Sequence, residues 1–457
     1  VEDTIERLKD VIADPDLFRL FENSWPSTLD TTIAWRGWSN TTKADGEPEE
    51  PEELTFVITG DIEAMWLRDS ANQLQAYTSV LKANSSFDSL ASLFRGAINL
   101  QARYILESPF CNAFQAPLES GIPRHSSRNS DQITPSFDYF SVFSCQWELD
   151  SVASFLQLSS DYVTATNDYA FFQKSSNWTK AVATILQTAE SMMIDSYSAD
   201  GEWQHTPYTY CAPYGGTPIN NCNGSPHRGH IGLVRSFHRP SDDACTYQYL
   251  IPSNMMFSSA LNASSLIMSK ITPRSSNLTS WMRQMSTNIN RGINDHALVP
   301  DPKYGMIYAY EIDGYGSVIS MDDPNVPSLL SAPFIGYTKT QDPIYSNTRR
   351  KILSHDNPYF AWGPIISGVG SMHTLPGKVW PMANLMTILT SGDEEEIATN
   401  LDMVLGSTGG TGLVHESVDA QTGGYSRSWF SWANGLLGQV VLSLEGRGTG
   451  VLERSYQ

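Results

Sequence analysis

Helical periodicity constrains this chain more than any other feature. Apolar residues recur at three- and four-residue spacing, as in Leu67, Ala71, Leu74, Tyr77 and Leu81. The pattern predicts helices over residues 4–22, 66–83, 88–107, 146–162, 168–195, 243–270, 276–295, 325–335, 341–354, 379–391, 394–405 and 430–445. Strand is confined to 54–59 and a hairpin over 306–320, with Asp313-Gly314 near its turn. Connections alternate between short and long, and no Pro/Ser-rich linker divides the chain. The simplest all-α architecture is a single domain, residues 1–457, of helical hairpins in a ring: an α/α toroid with its long loops on one face. An irregular helical bundle with two lobes is the alternative.

Charge narrows the partners. The 29 Lys+Arg against 49 Asp+Glu leave a net charge of −20. Nucleic acid and anionic membrane surfaces need cationic faces, so neither is an expected partner. No apolar run is long enough for a membrane span. Twelve Trp and twenty Tyr, beside many carboxylates, suit a sugar, which offers one C–H face and a rim of hydroxyls. Asn-x-Ser/Thr sequons begin at Asn40, Asn84, Asn177, Asn223, Asn262 and Asn277. In an acidic, lysine-poor chain they favour a secreted or secretory-pathway protein whose signal peptide was removed. Of the five cysteines, Cys211 and Cys222 close a loop too small to bury a core, so a disulfide is expected there. Cys111 with Cys145 is a second pairing. A zinc site from Cys211, Cys222, His227 and His230 competes, but no Cys-x-x-Cys supports it.

Four stretches place carboxylates beside aromatics or glycines at loops and helix starts. The first is Gly60-Asp61-Ile62-Glu63-Ala64-Met65-Trp66-Leu67-Arg68-Asp69-Ser70. It reads equally as a ligand site or as a capped helix with a surface ion pair. The second is Arg239-Pro240-Ser241-Asp242-Asp243-Ala244-Cys245, where Ser241 suits an N-cap and the aspartates suit the first turn. Two adjacent carboxyls in an enclosed site also split their pKa values and supply a proton donor. The third is Met321-Asp322-Asp323-Pro324-Asn325, equally an Asx-turn. The fourth is Gly412-Leu413-Val414-His415-Glu416, followed by Arg427-Ser428-Trp429-Phe430-Ser431-Trp432-Ala433-Asn434. No Gly-x-Ser-x-Gly elbow or His-Glu-x-x-His exists, and the glycines before Glu416 lack the lysine of a phosphate loop. What remains is a pair of carboxyls acting on a polyhydroxy ligand, as glycosidic cleavage requires.

Together, Gly60–Ser70, Arg239–Tyr247, Ile251–Met255, Met321–Leu330, Leu413–Ser417 and Ser426–Asn434 resemble glycoside hydrolase family 125. The resemblance implies an (α/α)6 toroid and an exo-acting, inverting α-1,6-mannosidase with no cofactor and no metal. It implies Asp243 as general acid, with Asp242 as the neighbouring alternative, and Glu416 as general base. Arg68 and Asp69 match residues that hold the mannose. Asp242, Asp323, Asn325, His373, Trp429, Trp432 and Asn434 are expected around the same pocket, although His373, in Ser371-Met372-His373-Thr374, reads first as a structural histidine and only second as a contact. The rivals are a mannose-binding protein without catalysis, and a phosphorylase or lyase on the same fold.

Overall fold

The structure is a computed structural model that describes residues 1–40, 50–212, 222–272 and 277–456. Of the acidic stretch 46–53, which the sequence marks as a solvated excursion, residues 46–49 lie outside the described residues, as does the interior of the Cys211–Cys222 loop. Thirteen α-helices are seen among those described: α1 (Glu2–Leu8), α2 (Pro15–Ser24), α3 (Leu67–Gln75), α4 (Leu90–Glu107), α5 (Leu149–Thr166), α6 (Tyr169–Lys174), α7 (Ser176–Ser191), α8 (Ile251–Ile271), α9 (Leu278–His296), α10 (Pro343–Ile352), α11 (Pro381–Leu389), α12 (Glu394–Gly406) and α13 (Ser431–Arg447).

They form two layers. The inner helices pack in sequence, α3 on α5, α5 on α8 and α11 on α13, and α13 returns to α3 to close the ring. Outside them, α4 lies on α5, α9 on α8, α12 on α11 and α2 on α13. The closure is tight. Trp25 stacks on Phe21 and Tyr77 at 5.3 and 5.8 Å, and its indole N–H donates to Ala76 O (3.1 Å). A Cβ on Gly438 of α13 would lie 2.0 Å from that indole, so only glycine lets the two elements meet.

The two layers begin differently. The outer helices α2, α4, α7, α10 and α12 are capped by side chains, those of Asp14, Ser89, Ser175, Asp342 and Asp393; outer helix α9 is the exception, since Asn277 makes no cap bond. The inner helices α3, α5, α8, α11 and α13 start from extended residues Trp66, Glu148, Leu250, Trp380 and Phe430, with no side-chain cap. At this end of the ring their first N–H groups are met by neighbouring loops instead: Leu67 N donates to Asn112 O (3.0 Å), Leu149 N to Ser236 Oγ (3.1 Å) and Ile251 N to Tyr310 O (2.9 Å). Two asparagines hang loops there. Asn254 donates to Val234 O and Leu250 O and accepts from Val234 N, all at 2.9 Å. Asn434 repeats the device with Val414 O and N (2.9 Å each) and Phe430 O (2.7 Å).

Several predicted elements differ. The helix over 4–22 breaks at Asp14-Pro15, because the proline lacks an N–H and opens α2. The helix over 168–195 divides into α6 and α7, where Ser175 caps the second. Residues 325–335 form buried turns and not a helix. The Asp322 carboxylate accepts from Leu329 N and Leu330 N, and Pro333 interrupts the ladder. The single hairpin over 306–320 is two pairings: 305–308 folds back on 298–301, while 311–312 pairs with 318–319 and with 249–250. Disulfides join Cys111 to Cys145 and Cys211 to Cys222, and Cys245 is free and buried. The zinc alternative falls, since both its thiols are in that bond. Its His227 is bonded to Ser196 Oγ and Ile194 O.

Candidate active site

The starts of α3, α11 and α13 meet on a pocket of about 440 Å³, counting its open mouth. Its walls include Trp66, Arg68 and Asp69 from α3, Trp380 before α11, and Phe430 and Trp432 at the start of α13. Asp242, Asn325, His373, Glu416 and Arg427 complete them. A larger cleft of about 1330 Å³ lies elsewhere, beside Trp38, Arg95 and Phe171. Its Arg95 is already held by both oxygens of Glu53, at 2.5 and 3.0 Å.

The floor of the pocket is Arg68, 3% exposed. Its Nη1 donates to Glu148 Oε2 (2.7 Å) and Asp150 Oδ2 (3.1 Å). Its Nε lies 3.4 Å from Asp69 Oδ2, and its Nη2 3.5 Å from Asp242 Oδ1. Four carboxyls thus surround one guanidinium. Burial opposes the charge on Arg68, but the four carboxyls outweigh it and raise its pKa. Burial pushes Glu148 well above the usual carboxylate range and raises Asp150, in both cases against the pull of Arg68. It pushes Asp69 up to about 6. A site this crowded with anions retains protons. The neighbouring Asp242 and Asp150 carboxyls push Glu148 in the same direction as burial does. Glu148 Oε1, Asp242 Oδ1 and Asp69 Oδ2 are buried oxygens with no hydrogen-bond partner.

Asp242 reaches this floor from a tight turn, not from a helix. Arg239 N donates to Asp243 O (2.7 Å) and Asp242 N to Arg239 O (2.9 Å). Asp242 takes a left-handed conformation (φ 67°), which aspartate tolerates better than most residues. Ser241 is therefore no N-cap, because α8 begins only at Ile251. The turn is anchored by Arg239, whose Nε donates to Glu311 Oε1 (2.6 Å). Asp243 does not line the pocket. It stands beside it, accepting from Ser241 Oγ (3.0 Å), with Oδ1 3.6 Å from Nδ1 of the pocket residue His373. The nearby Asp243 carboxylate raises the His373 pKa.

Glu416 enters from the loop hung on Asn434. Ser426 Oγ donates to its Oε2 (3.0 Å), and Arg427 Nε lies 2.9 Å from its Oε1. Asp323 sits behind the wall, 1% exposed, accepting from Ser371 Oγ (2.7 Å) and Asn325 N (3.2 Å). Burial raises its pKa.

Of the residues singled out from sequence, Arg68, Asp69, Asp242, Asn325, His373, Glu416 and Trp432 meet on one pocket. Asp243 and Asp323 stand directly behind it. Trp429 and Asn434 do not line it. The Trp429 indole packs on Gly60 and donates to Ser27 Oγ (3.1 Å). The Asn434 amide is wholly engaged with backbone. Sequence reasoning missed Trp66, Trp380 and Phe430, although each immediately precedes an inner helix. It also missed Glu148 and Asp150, which repeat the acidic, aromatic helix start of the first stretch as Trp147-Glu148-Leu149-Asp150. Arg427 left no signal beyond its place next to Trp429.

The family model for metal-independent α-mannosidases of family GH125 matches residues 14–442. The chain belongs to glycoside hydrolase family 125. As a member it is a glycoside hydrolase of the metal-independent α-mannosidase type. It is 42% identical to the meiotically up-regulated gene 157 protein of Schizosaccharomyces pombe, over all of this chain and 87% of that one. It superposes on a Streptococcus pneumoniae protein of the metal-independent α-mannosidase family with TM-score 0.82 and 33% identity. The match covers 97% and 96% of the two chains, and the bacterial protein was solved in a non-productive complex with α-1,6-mannobiose. A bacterial glucoamylase, 13% identical over 94% of this chain and 54% of its own, shares the fold at TM-score 0.50. The family match and the inner and outer helix layers agree with the predicted α/α toroid.

Proposed function

We propose that this family 125 enzyme releases terminal α-1,6-linked mannose from the non-reducing end of a glycan, with inversion, in a single displacement. The observation that carries the reading is the pocket itself. One buried floor of Arg68 and Asp69 suits a single terminal sugar; Asp242 and Glu416 stand at its walls, and Asp243 stands beside it, 3.6 Å from the pocket residue His373. The linkage draws on the α-1,6-mannobiose held by the pneumococcal relative.

In this mechanism Asp243 donates a proton to the glycosidic oxygen as the bond to the anomeric carbon breaks. Glu416 removes a proton from the water that attacks the opposite face. The product is β-mannose, and solvent exchange restores both carboxyls. Asp242, paired with Arg68, holds a sugar hydroxyl. Asp323 and Asn325 brace the wall, and Trp432 offers an apolar face to the ring.

Proton NMR of the sugar released from a panel of α-mannobioses tests this reading. The β anomer should appear first, from the 1,6-linked substrate. Initial α-mannose would overturn inversion, and equal rates on other linkages would overturn the specificity. Asp243→Asn and Glu416→Gln should each lower kcat on the disaccharide about 10²–10⁴-fold. A dinitrophenyl α-mannoside leaves without a proton, so it should rescue only the variant that lacks the acid. Rescue of Asp242→Asn instead would exchange the roles of the two aspartates.

The same proposal places the enzyme in the secretory pathway. Two disulfides need an oxidising compartment. Asn40, Asn84, Asn262 and Asn277 are exposed sequon positions. A mass shift on endoglycosidase treatment of the protein from its native host checks it.

A further inference from the structure

We infer that Arg427 is the positioning residue for the catalytic base, and that Asp61, from the segment before α3, fixes Arg427. The inference rests on the reading of Glu416 as base. Arg427 lines the pocket, and its guanidinium bridges two elements far apart in sequence. Nε lies 2.9 Å from Glu416 Oε1, and Nη1 donates to Asp61 Oδ1 at 2.5 Å. Ser426 Oγ holds the other oxygen of Glu416 at 3.0 Å, and Ser417 Oγ in turn bonds Ser426 Oγ at 2.6 Å. Both oxygens of the base are thus oriented by neighbours from one short hairpin, in which 417–419 pairs with 425–426.

The backbone at Arg427 shows that this orientation is imposed. Its φ is 49°, in the left-handed region that a side chain of this size rarely adopts. Such outliers persist where surrounding contacts over-determine them, and they gather at functional sites. Three contacts do so here. The Arg427 carbonyl meets Nδ1 of buried His415 at 3.1 Å, which ties it to the residue before the base. Its guanidinium is tied to Asp61 and to Glu416. Asp61 itself follows Gly60, whose backbone (φ 137°) lies against the Trp429 indole, so the 60–63 lip rests on the same segment that carries Arg427. A carboxylate that must aim one lone pair at a water needs a fixed plane. The Arg427 Nε beside one oxygen, its guanidinium held from the other side by Asp61, and a hydroxyl on the other oxygen provide it.

The test compares Arg427→Met, Arg427→Lys and Asp61→Asn with the parent enzyme on α-1,6-mannobiose and on dinitrophenyl α-mannoside. Arg427→Met should lower kcat about 100-fold, with KM changed by less than about threefold. The loss should be equal on both substrates, because both need the activated water whatever their leaving group. Arg427→Lys, which keeps the charge but loses the fork, should fall between. It also carries the test if the methionine variant does not fold. Asp61→Asn should show the same pattern, reduced to a few-fold. A normal kcat in Arg427→Lys, or a loss confined to KM, would overturn the inference. So would a loss restored by the activated substrate. An inactive Glu416→Gln beside fully active Arg427 variants would sink this inference alone, whereas an active Glu416→Gln would sink the base assignment.

Discussion

Two buried arginines flank the site, and they are partnered in opposite ways. Arg239 has one carboxylate. Its Nε meets Glu311 Oε1 at 2.6 Å, the other Glu311 oxygen accepts Thr246 N and Tyr247 N, and the guanidinium lies 5.2 Å from the Tyr310 ring centre. Charge and hydrogen bonds balance, so the pair serves as a fastener for the Asp242 turn. Arg68 has four carboxyls and leaves buried oxygens on Asp69, Glu148 and Asp242 without a hydrogen-bond donor. A surplus of acceptors is costly in an empty scaffold. It becomes useful beside a ligand made of hydroxyl donors. The difference separates a structural ion pair from the one proposed to hold a sugar more clearly than burial does, since both arginines are almost wholly buried.

Breaking the balanced pair should have the largest effect on stability. Glu311→Ala strands a buried cation and two backbone N–H groups, and should cost about 3–5 kcal/mol in chemical denaturation, with little change between pH 5 and 8. Arg68→Met should abolish mannose binding by calorimetry. Its stability deficit should grow as pH rises, because the abandoned carboxyls ionise against one another. A flat pH profile would mean that the cluster is not coupled as described. Asp69→Asn is a finer probe. Asp69 is raised by burial to about 6, so its contribution is present below about pH 4 and lost as pH climbs through 6. The asparagine variant should therefore gain on the parent between pH 4 and 7, by at most about 3 kcal/mol, read as a widening difference in Tm. The smallest effect is expected of Ser253→Ala. Loss of its bond to Asp150 Oδ1 (3.2 Å) should cost about 1 kcal/mol and leave KM unchanged.

The ring of helices was legible because each inner helix needs an apolar face toward its neighbours, and that need writes a periodic pattern. The floor was legible at Arg68 and Asp69 because charges at a helix start beside Trp66 are unusual. Other parts depend on contacts that local sequence does not encode. Asp242 and Asp243 look like a helix's first turn, yet a backbone hairpin fastened by Glu311, some seventy positions on, holds them in a loop. Asn434 reads like a hydroxyl binder, but its amide finds Val414, twenty residues earlier. Glu148 and Asp150 became part of the floor only once α5 was packed beside α3. Residues 325–335 carry helical periodicity, but the Asp322 carboxylate competes for the N–H groups a helix would use.

The paired asparagines carry a consequence for how such an enzyme changes over generations. Asn254 and Asn434 each grip a valine twenty positions upstream, and the intervals they close contain the Asp242 turn and the Glu416 hairpin. Each interval is a cassette with fixed ends. Insertions at the exposed tip 421–424 can lengthen the hairpin while the clamp keeps its base in register. Variation in substrate preference therefore has an inherited place to accumulate, inside the cassettes, without renegotiating the ring that carries them.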